Sequence, residues 1–141
     1  MNIKNFIKLT LSITCNPKGF FQALKNFSSQ DVYTNKQHIK DAAQWLLSSQ
    51  NAHDDGGYSR HYSLYSKKWD KSYIETTGYI IPTLHDVGRF LDDSKYMESS
   101  KRAAEWLLHK QNSDGSFSDI DQNIPQVFDT GQCLIGLNEM F

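Results

Sequence analysis

The sequence predicts an all-α fold of helical-hairpin repeats, and three observations carry that prediction. A helix-like segment recurs about sixty residues along: Ala43-Gln44-Trp45-Leu46-Leu47-Ser48-Ser49-Gln50-Asn51 returns as Ala104-Glu105-Trp106-Leu107-Leu108-His109-Lys110-Gln111-Asn112. Each copy runs into an Asp-Gly loop, Asp55-Gly56-Gly57-Tyr58-Ser59 and Asp114-Gly115-Ser116-Phe117-Ser118. A second apolar stretch follows each loop, at 74–81 in the first copy and 127–134 in the second. The unit is therefore helix, loop, helix. A period of this size marks a stacked or ring-like array in which no unit buries its apolar face alone.

Taken in order, Asn16 and Pro17 predict a helix start, because asparagine caps well and proline is tolerated at the first helical position. Phe20, Phe21, Leu24 and Phe27 then share a face, and the polar stretch Ser28-Ser29-Gln30-Asp31 closes this leader, taken as 1–30. The repeats occupy 31–141. Thr34-Asn35-Lys36-Gln37 has the capping-box pattern, and Ile39, Ala42, Ala43, Leu46 and Leu47 recur at helical spacing. The connection from Asn51 to Tyr73 is long and carries Tyr58, Arg60, His61, Tyr62, Tyr65 and Trp69, a composition more typical of functional loops than of plain connectors. The second helix is expected over 74–91, kinked by Pro82 with Gly78 making room. Asp92-Asp93-Ser94 supplies an N-cap for a third helix near 95–111, with Tyr96, Ala103, Trp106 and Leu107 inward. The fourth begins near Val127 and is still apolar at Phe141. The expectation is a fragment, a truncated reading frame or one part of an oligomer, with self-association through the open end of the array.

Composition narrows the function classes. The chain has 141 residues, 38% hydrophobic and 13% aromatic, enough for one ordinary core. Its 15 basic and 16 acidic residues are interspersed, with a net charge of -1, so no basic stripe points to nucleic acid. Cys15 and Cys133 lie far apart in unlike contexts, which describes neither a disulfide framework nor a paired-cysteine metal site. Lys8 interrupts the short apolar run at 6–15 and Thr14 is a poor residue before a cleavage point, so neither export nor a membrane span is expected. The expected location is cytoplasmic.

The second copy resembles the QW motif of the prenyltransferase and squalene-hopene cyclase repeat family. That pattern is a basic residue, a small one, an aromatic, an aliphatic, then glutamine, glycine and an aromatic. Arg102-Ala103, Trp106-Leu107, Gln111, Gly115 and Phe117 follow it, with phenylalanine for the final tryptophan; Ala42, Trp45-Leu46, Gln50, Gly57 and Tyr58 follow it less strictly. The resemblance covers roughly 38–141 and implies an incomplete α/α toroid. It also implies that Trp45, Trp106, Gln50 and Gln111 serve packing, and that function lies at the starts of the inner helices.

Terpene cyclases of the family open one inner helix with a DxDD run; here Gln126-Val127-Phe128-Asp129 keeps only the last aspartate, and Tyr73-Ile74-Glu75-Thr76 has one carboxylate. Asp119 and Asp121 lie upstream and are expected in a solvated loop. Prenyltransferase β subunits hold zinc with aspartate, cysteine and histidine, but Cys133 has no nearby histidine, and His53, Asp54, Asp55 and His61 form the only other cluster. Neither a metal nor another cofactor is expected.

The same toroid serves carbohydrate enzymes, and related repeats occur among bacterial polysaccharide-associated proteins. Acid–base sugar chemistry needs two carboxylates across a groove with aromatic platforms. Glu75 and Asp129 are the candidate acid and base, with His61 as an assistant. Tyr58, Tyr62, Tyr65 and Trp69 are candidate platforms, Arg60 and His61 candidate contacts for a uronate, and Thr76 and Thr130 further substrate contacts. The expected partner is a carbohydrate polymer. The alternatives are a cyclase- or prenyltransferase-like protein handling an isoprenoid, and a noncatalytic binding or assembly module.

Overall fold

The computed structural model describes residues 17, 18, 21 and 33–141. The leader expected over 1–30 lies outside them apart from 17, 18 and 21, as does Cys15. Among the described residues four helices carry the fold: α1 (Asn35–Gln50), α2 (Ile74–Leu91), α3 (Ser94–Lys110) and α4 (Val127–Met140). A short antiparallel hairpin, β1 (Tyr62–Ser63) and β2 (Lys68–Trp69), stands in the α1–α2 loop and sets Tyr62 opposite Trp69. Strands of two residues are too short to show an alternating pattern, so the sequence reads there as loop.

Local signals place the helices. The Thr34 side chain accepts the Gln37 backbone N–H at 3.2 Å. The other half of the expected capping box does not form, because the Gln37 amide donates to the Asp41 carboxylate at 2.8 Å. A charged acceptor one turn along is the stronger partner. At the far end of α2, Asp92 takes the left-handed conformation at φ 54°, and Asp93 then caps α3 by accepting from the Lys95 N–H.

Helix α2 is the central element, packed along α3 on one side and α4 on another. The buried apolar core runs through Leu47, Ile74, Ile81, Leu84, Tyr96, Ala103, Leu107 and Cys133. The inward positions expected for the third helix, Tyr96, Ala103, Trp106 and Leu107, are all buried.

Helices α2 and α4 run parallel, since Gly78 meets Gln132, Ile81 meets Gly136 and His85 bonds Glu139. Two glycines set their spacing. A Cβ on Gly78 would lie 2.6 Å from the Gln132 carbonyl carbon, and one on Gly136 would lie 2.4 Å from the Gly78 carbonyl oxygen. That oxygen is the one that Pro82, lacking an N–H, leaves without its helical donor. Gly78 therefore serves a close helix approach rather than room for a kink. Its counterpart in the repeat, Gly131, has nothing within 4 Å of such a Cβ.

This contrast gives a paired expectation. Gly78→Ala should lower stability by about 1–3 kcal/mol, since backbone atoms of α4 cannot give way cheaply. Gly131→Ala should leave stability unchanged or raise it by up to about 1 kcal/mol through helix propensity alone. Urea unfolding followed by circular dichroism at low-micromolar protein reads both; equal losses would mean that α2 and α4 are not in this contact.

Candidate functional site

Each loop is stapled to the helix that follows it by the same bond. The Tyr58 N–H donates to the Thr77 hydroxyl at 2.9 Å, and the Phe117 N–H donates to the Thr130 hydroxyl at 3.0 Å. The Tyr73 N–H reaches the Tyr58 carbonyl at 2.9 Å, and Gln126 reaches Phe117 at 3.0 Å. Thr130 thus has a structural bond to the backbone, and its counterpart in the first copy is Thr77, not Thr76.

Gln50 and Gln111 each bond the loop that follows their own helix. Gln50, 1% exposed, donates to the Gly56 carbonyl at 2.7 Å and to the Ser99 carbonyl at 3.0 Å. Its oxygen accepts from the Ser99 hydroxyl and from Arg102, both at 2.6 Å. Since the Ser99 proton goes to Gln50, the Tyr58 hydroxyl donates to Ser99 at 2.7 Å. Tyr58 is fully buried, and burial pushes its phenol up to about 12. It is therefore a core residue and cannot serve as a sugar platform, a correction to the expectation above. Gln111 repeats only the bond to its own loop, at 3.0 Å to Gly115, in an exposed setting.

The remaining aromatic candidates divide. Trp45, Tyr62 and Trp69 form one cluster: Trp45 and Trp69 have ring centroids 4.7 Å apart, and Tyr62 sits edge-on to both at 5.3 and 5.0 Å. Trp106 is buried against Gly57, where a Cβ would come within 2.9 Å of its ring, as a packing role requires. Trp45 departs from that role and remains 52% exposed. The cluster edges a groove of about 330 Å³ between α1, the hairpin and α2, lined further by Arg60, His61, Thr76, Tyr79 and Thr83. No aspartate or glutamate is among its lining residues. Tyr65 stands exposed near the hairpin turn and is not among the lining residues. Trp45 and Tyr79 were missed as site residues because their helical spacing reads as packing, and only the fold around them shows the open groove.

Arg60 is committed elsewhere. Its guanidinium bonds Asp70 at 2.8 Å and Asp121 at 2.7 Å and lies 5.1 Å from the centre of the Tyr73 ring. Lys71 also pairs with Asp121. The His61 side chain is 57% exposed, with Nδ1 3.5 Å from Asp70. Arg60 and His61 thus both face carboxylates of their own chain, which argues against recognition of a uronate. The bonds to Arg60 and Lys71 tie the first loop to the second, and Asp121 itself lies exposed in its loop, as expected.

The two candidate acids sit apart from the groove lining, at the starts of α2 and α4. Asp129 is 6% exposed, and its Oδ2 has no hydrogen-bond partner. Desolvation, with the nearby Asp119 charge, raises its carboxyl above the usual range. Beside it, the Tyr73 hydroxyl donates to Asp119 at 2.7 Å. That bond, burial, and the charges of Asp119, Asp129 and Glu75 push the phenol up to about 12. The same bond and backbone N–H donors hold Asp119 low. Glu75 is half-buried in the first turn of α2.

The histidine cluster of the first loop disperses into local bonds. His53 Nε2 reaches the Asp70 carbonyl at 2.7 Å, and Asp55 accepts from the Gly57 N–H and the Ser72 hydroxyl. Among the described residues no three His, Cys, Asp or Glu side chains converge as metal ligands. Among them also, no helix is long and apolar enough to cross a membrane. No family model, curated protein or solved structure matches the chain.

The Asp129 carboxyl gives a pH signature. Unfolded, it ionises near 3.8; folded, it ionises higher, so native stability is unpenalised below that pH and falls as pH rises through the folded value. Asp129→Asn should therefore melt higher than the parent at pH 7, with the gap closing by about pH 3.5. Thermal melts at the two pH values check this, and a gap that is independent of pH would contradict it.

Proposed function

We propose that the chain is a unit of α/α-toroid architecture, of the kind associated with bacterial polysaccharides in the cytoplasm, and that it binds a carbohydrate polymer in the α1–hairpin–α2 groove. In this reading α1 and α3 are outer helices and α2 and α4 inner ones. The recurring bonds from loop to threonine and from glutamine to loop support it. The single observation that carries the binding function is the Trp45–Tyr62–Trp69 cluster, in which Trp45 is exposed and Tyr62 and Trp69 are half-buried, along a groove with no carboxylate among its lining residues. Indole and phenol rings offer apolar faces to sugar C–H groups, while Thr76, Thr83 and Tyr79 provide hydroxyls for orientation. Because Arg60 and His61 face Asp70 and Asp121, the ligand that fits is a neutral glycan. A groove without acids favours binding over turnover.

A second reading keeps an enzyme, with the acid at Asp129 and Glu75 as its base, acting on sugar bound at the inner-helix N-termini. The buried, unpartnered Oδ2 of Asp129 favours it, since burial raises the ionisation of this carboxyl above the usual range, the direction in which a general acid is tuned.

Titration with neutral and uronic-acid oligosaccharides, followed by tryptophan fluorescence and calorimetry, tests the first reading. Neutral glycans should bind, and Trp69→Ala or Trp45→Ala should weaken binding by roughly ten- to a hundredfold, about 1.4–2.8 kcal/mol. Tyr65→Ala should leave affinity unchanged. Preference for the uronic-acid series, or for an isoprenoid diphosphate, would overturn the reading. Turnover of a bound glycan that Asp129→Asn abolishes without changing affinity would establish the second reading over a purely binding role.

A further inference from the structure

A cavity of about 430 Å³ lies between the end of α1, the first loop and α3, and it shares no lining residue with the aromatic groove. Its volume is that of a small-molecule site. Three carboxylates, Asp54, Asp55 and Glu105, share its wall with one guanidinium, that of Arg102.

These groups are largely uncommitted. Among the described residues, the Asp54 and Glu105 carboxylates accept no hydrogen bond and join no ion pair. Glu105 stands one turn of α3 from both Arg102 and His109 and pairs with neither. Asp55 uses Oδ1 alone, for the Gly57 N–H and the Ser72 hydroxyl. Arg102 gives only Nη2 to Gln50 and Asn51, so its Nη1 and Nε have no acceptor. Trp106, 5% exposed, lines the same cavity, and its indole N–H has no acceptor either. A buried donor in that state is rare in folded proteins.

The wall thus offers free negative charge together with free donors. A metal ion does not suit it, since no three ligands converge among the described residues and neither a guanidinium nor an indole N–H can coordinate one. A simple anion would meet three carboxylates. A simple amine would leave the guanidinium and indole donors unpaired. The complementary molecule carries a carboxylate for the donors and, because the acids outnumber Arg102, more than one cationic nitrogen.

We propose that this cavity binds a basic α-amino acid, its carboxylate at Arg102 and the Trp106 indole N–H and its two cationic nitrogens at Asp54 and Glu105.

Trp45→Phe with Trp69→Phe leaves Trp106 as the one tryptophan of the chain, so its fluorescence reports this cavity apart from the glycan groove. At constant ionic strength, L-lysine should change that fluorescence saturably, and calorimetry on the parent chain should give one site per chain. Asp54→Asn with Glu105→Gln should weaken binding at least about tenfold with unchanged circular dichroism, because neither side chain bonds anything in the protein. L-Glutamate, of opposite charge, and cadaverine, which lacks the carboxylate, should each bind at least about tenfold more weakly than lysine. No saturation by lysine up to about 10 mM, lysine affinity indifferent to the paired substitution, or glutamate or cadaverine binding as well as lysine would each overturn the proposal.

Discussion

The amide of Gln50 is the constraint on which the rest of the structure depends. It uses both donors and accepts twice, and its partners belong to two different segments: Gly56 in the first loop, and Ser99 and Arg102 on α3. A buried amide with this full set contributes stability, whereas an incomplete set would cost the desolvation of each unpaired group. One side chain thereby fixes where α1 ends, where its loop turns back and how the second hairpin sits on the first. Tyr58 joins the same network through Ser99, and the Tyr58 backbone is in turn held by Thr77 and Tyr73. The start of α2 is thus positioned from the end of α1, and Gly78 and Gly136 then let α4 settle against α2.

From this frame follows the separation of two chemically different surfaces. The hairpin inserted in the first loop, absent from the second repeat, carries Tyr62 and Trp69 up to Trp45 and makes an aromatic groove on one side of α2. The acidic group of Tyr73, Asp119 and Asp129 lies where α2 and α4 begin. Arg60 and Lys71 meet Asp121 between the two loops, and these exposed ion pairs contribute little stability but orient the loops. The aromatic groove therefore presents hydroxyls and rings, while the acids occupy a different neighbourhood.

Much of the fold was legible because its signals are local. Helical spacing, the Thr34 and Asp93 caps and the repeated Asp-Gly loops placed all four helices within a residue or two, and the family resemblance implied a structural role for Gln50. What escaped were relations set by tertiary contact. Tyr58 and Tyr62 look alike in sequence, yet one is a core ring and the other lines a groove, because burial depends on α3 and not on neighbours in the chain. Trp45 and Trp106 hold matching positions, but only Trp106 has an earlier loop described beneath it. Gly78 suggested a kink because proline follows four residues later; its contact is with a helix more than fifty residues away. Arg60 was a plausible ligand contact until the fold brought Asp121 to it.

The central claim is that the buried Gln50 amide joins the two hairpins, and it is tested most directly by comparing urea unfolding of Gln50→Ala and Gln111→Ala. The account predicts a loss of about 2–4 kcal/mol for Gln50→Ala, which strands Ser99 and Arg102, and under about 1 kcal/mol for Gln111→Ala, whose bond is exposed and confined to its own loop. Equal losses, or a Gln50→Ala variant as stable as the parent, would contradict it.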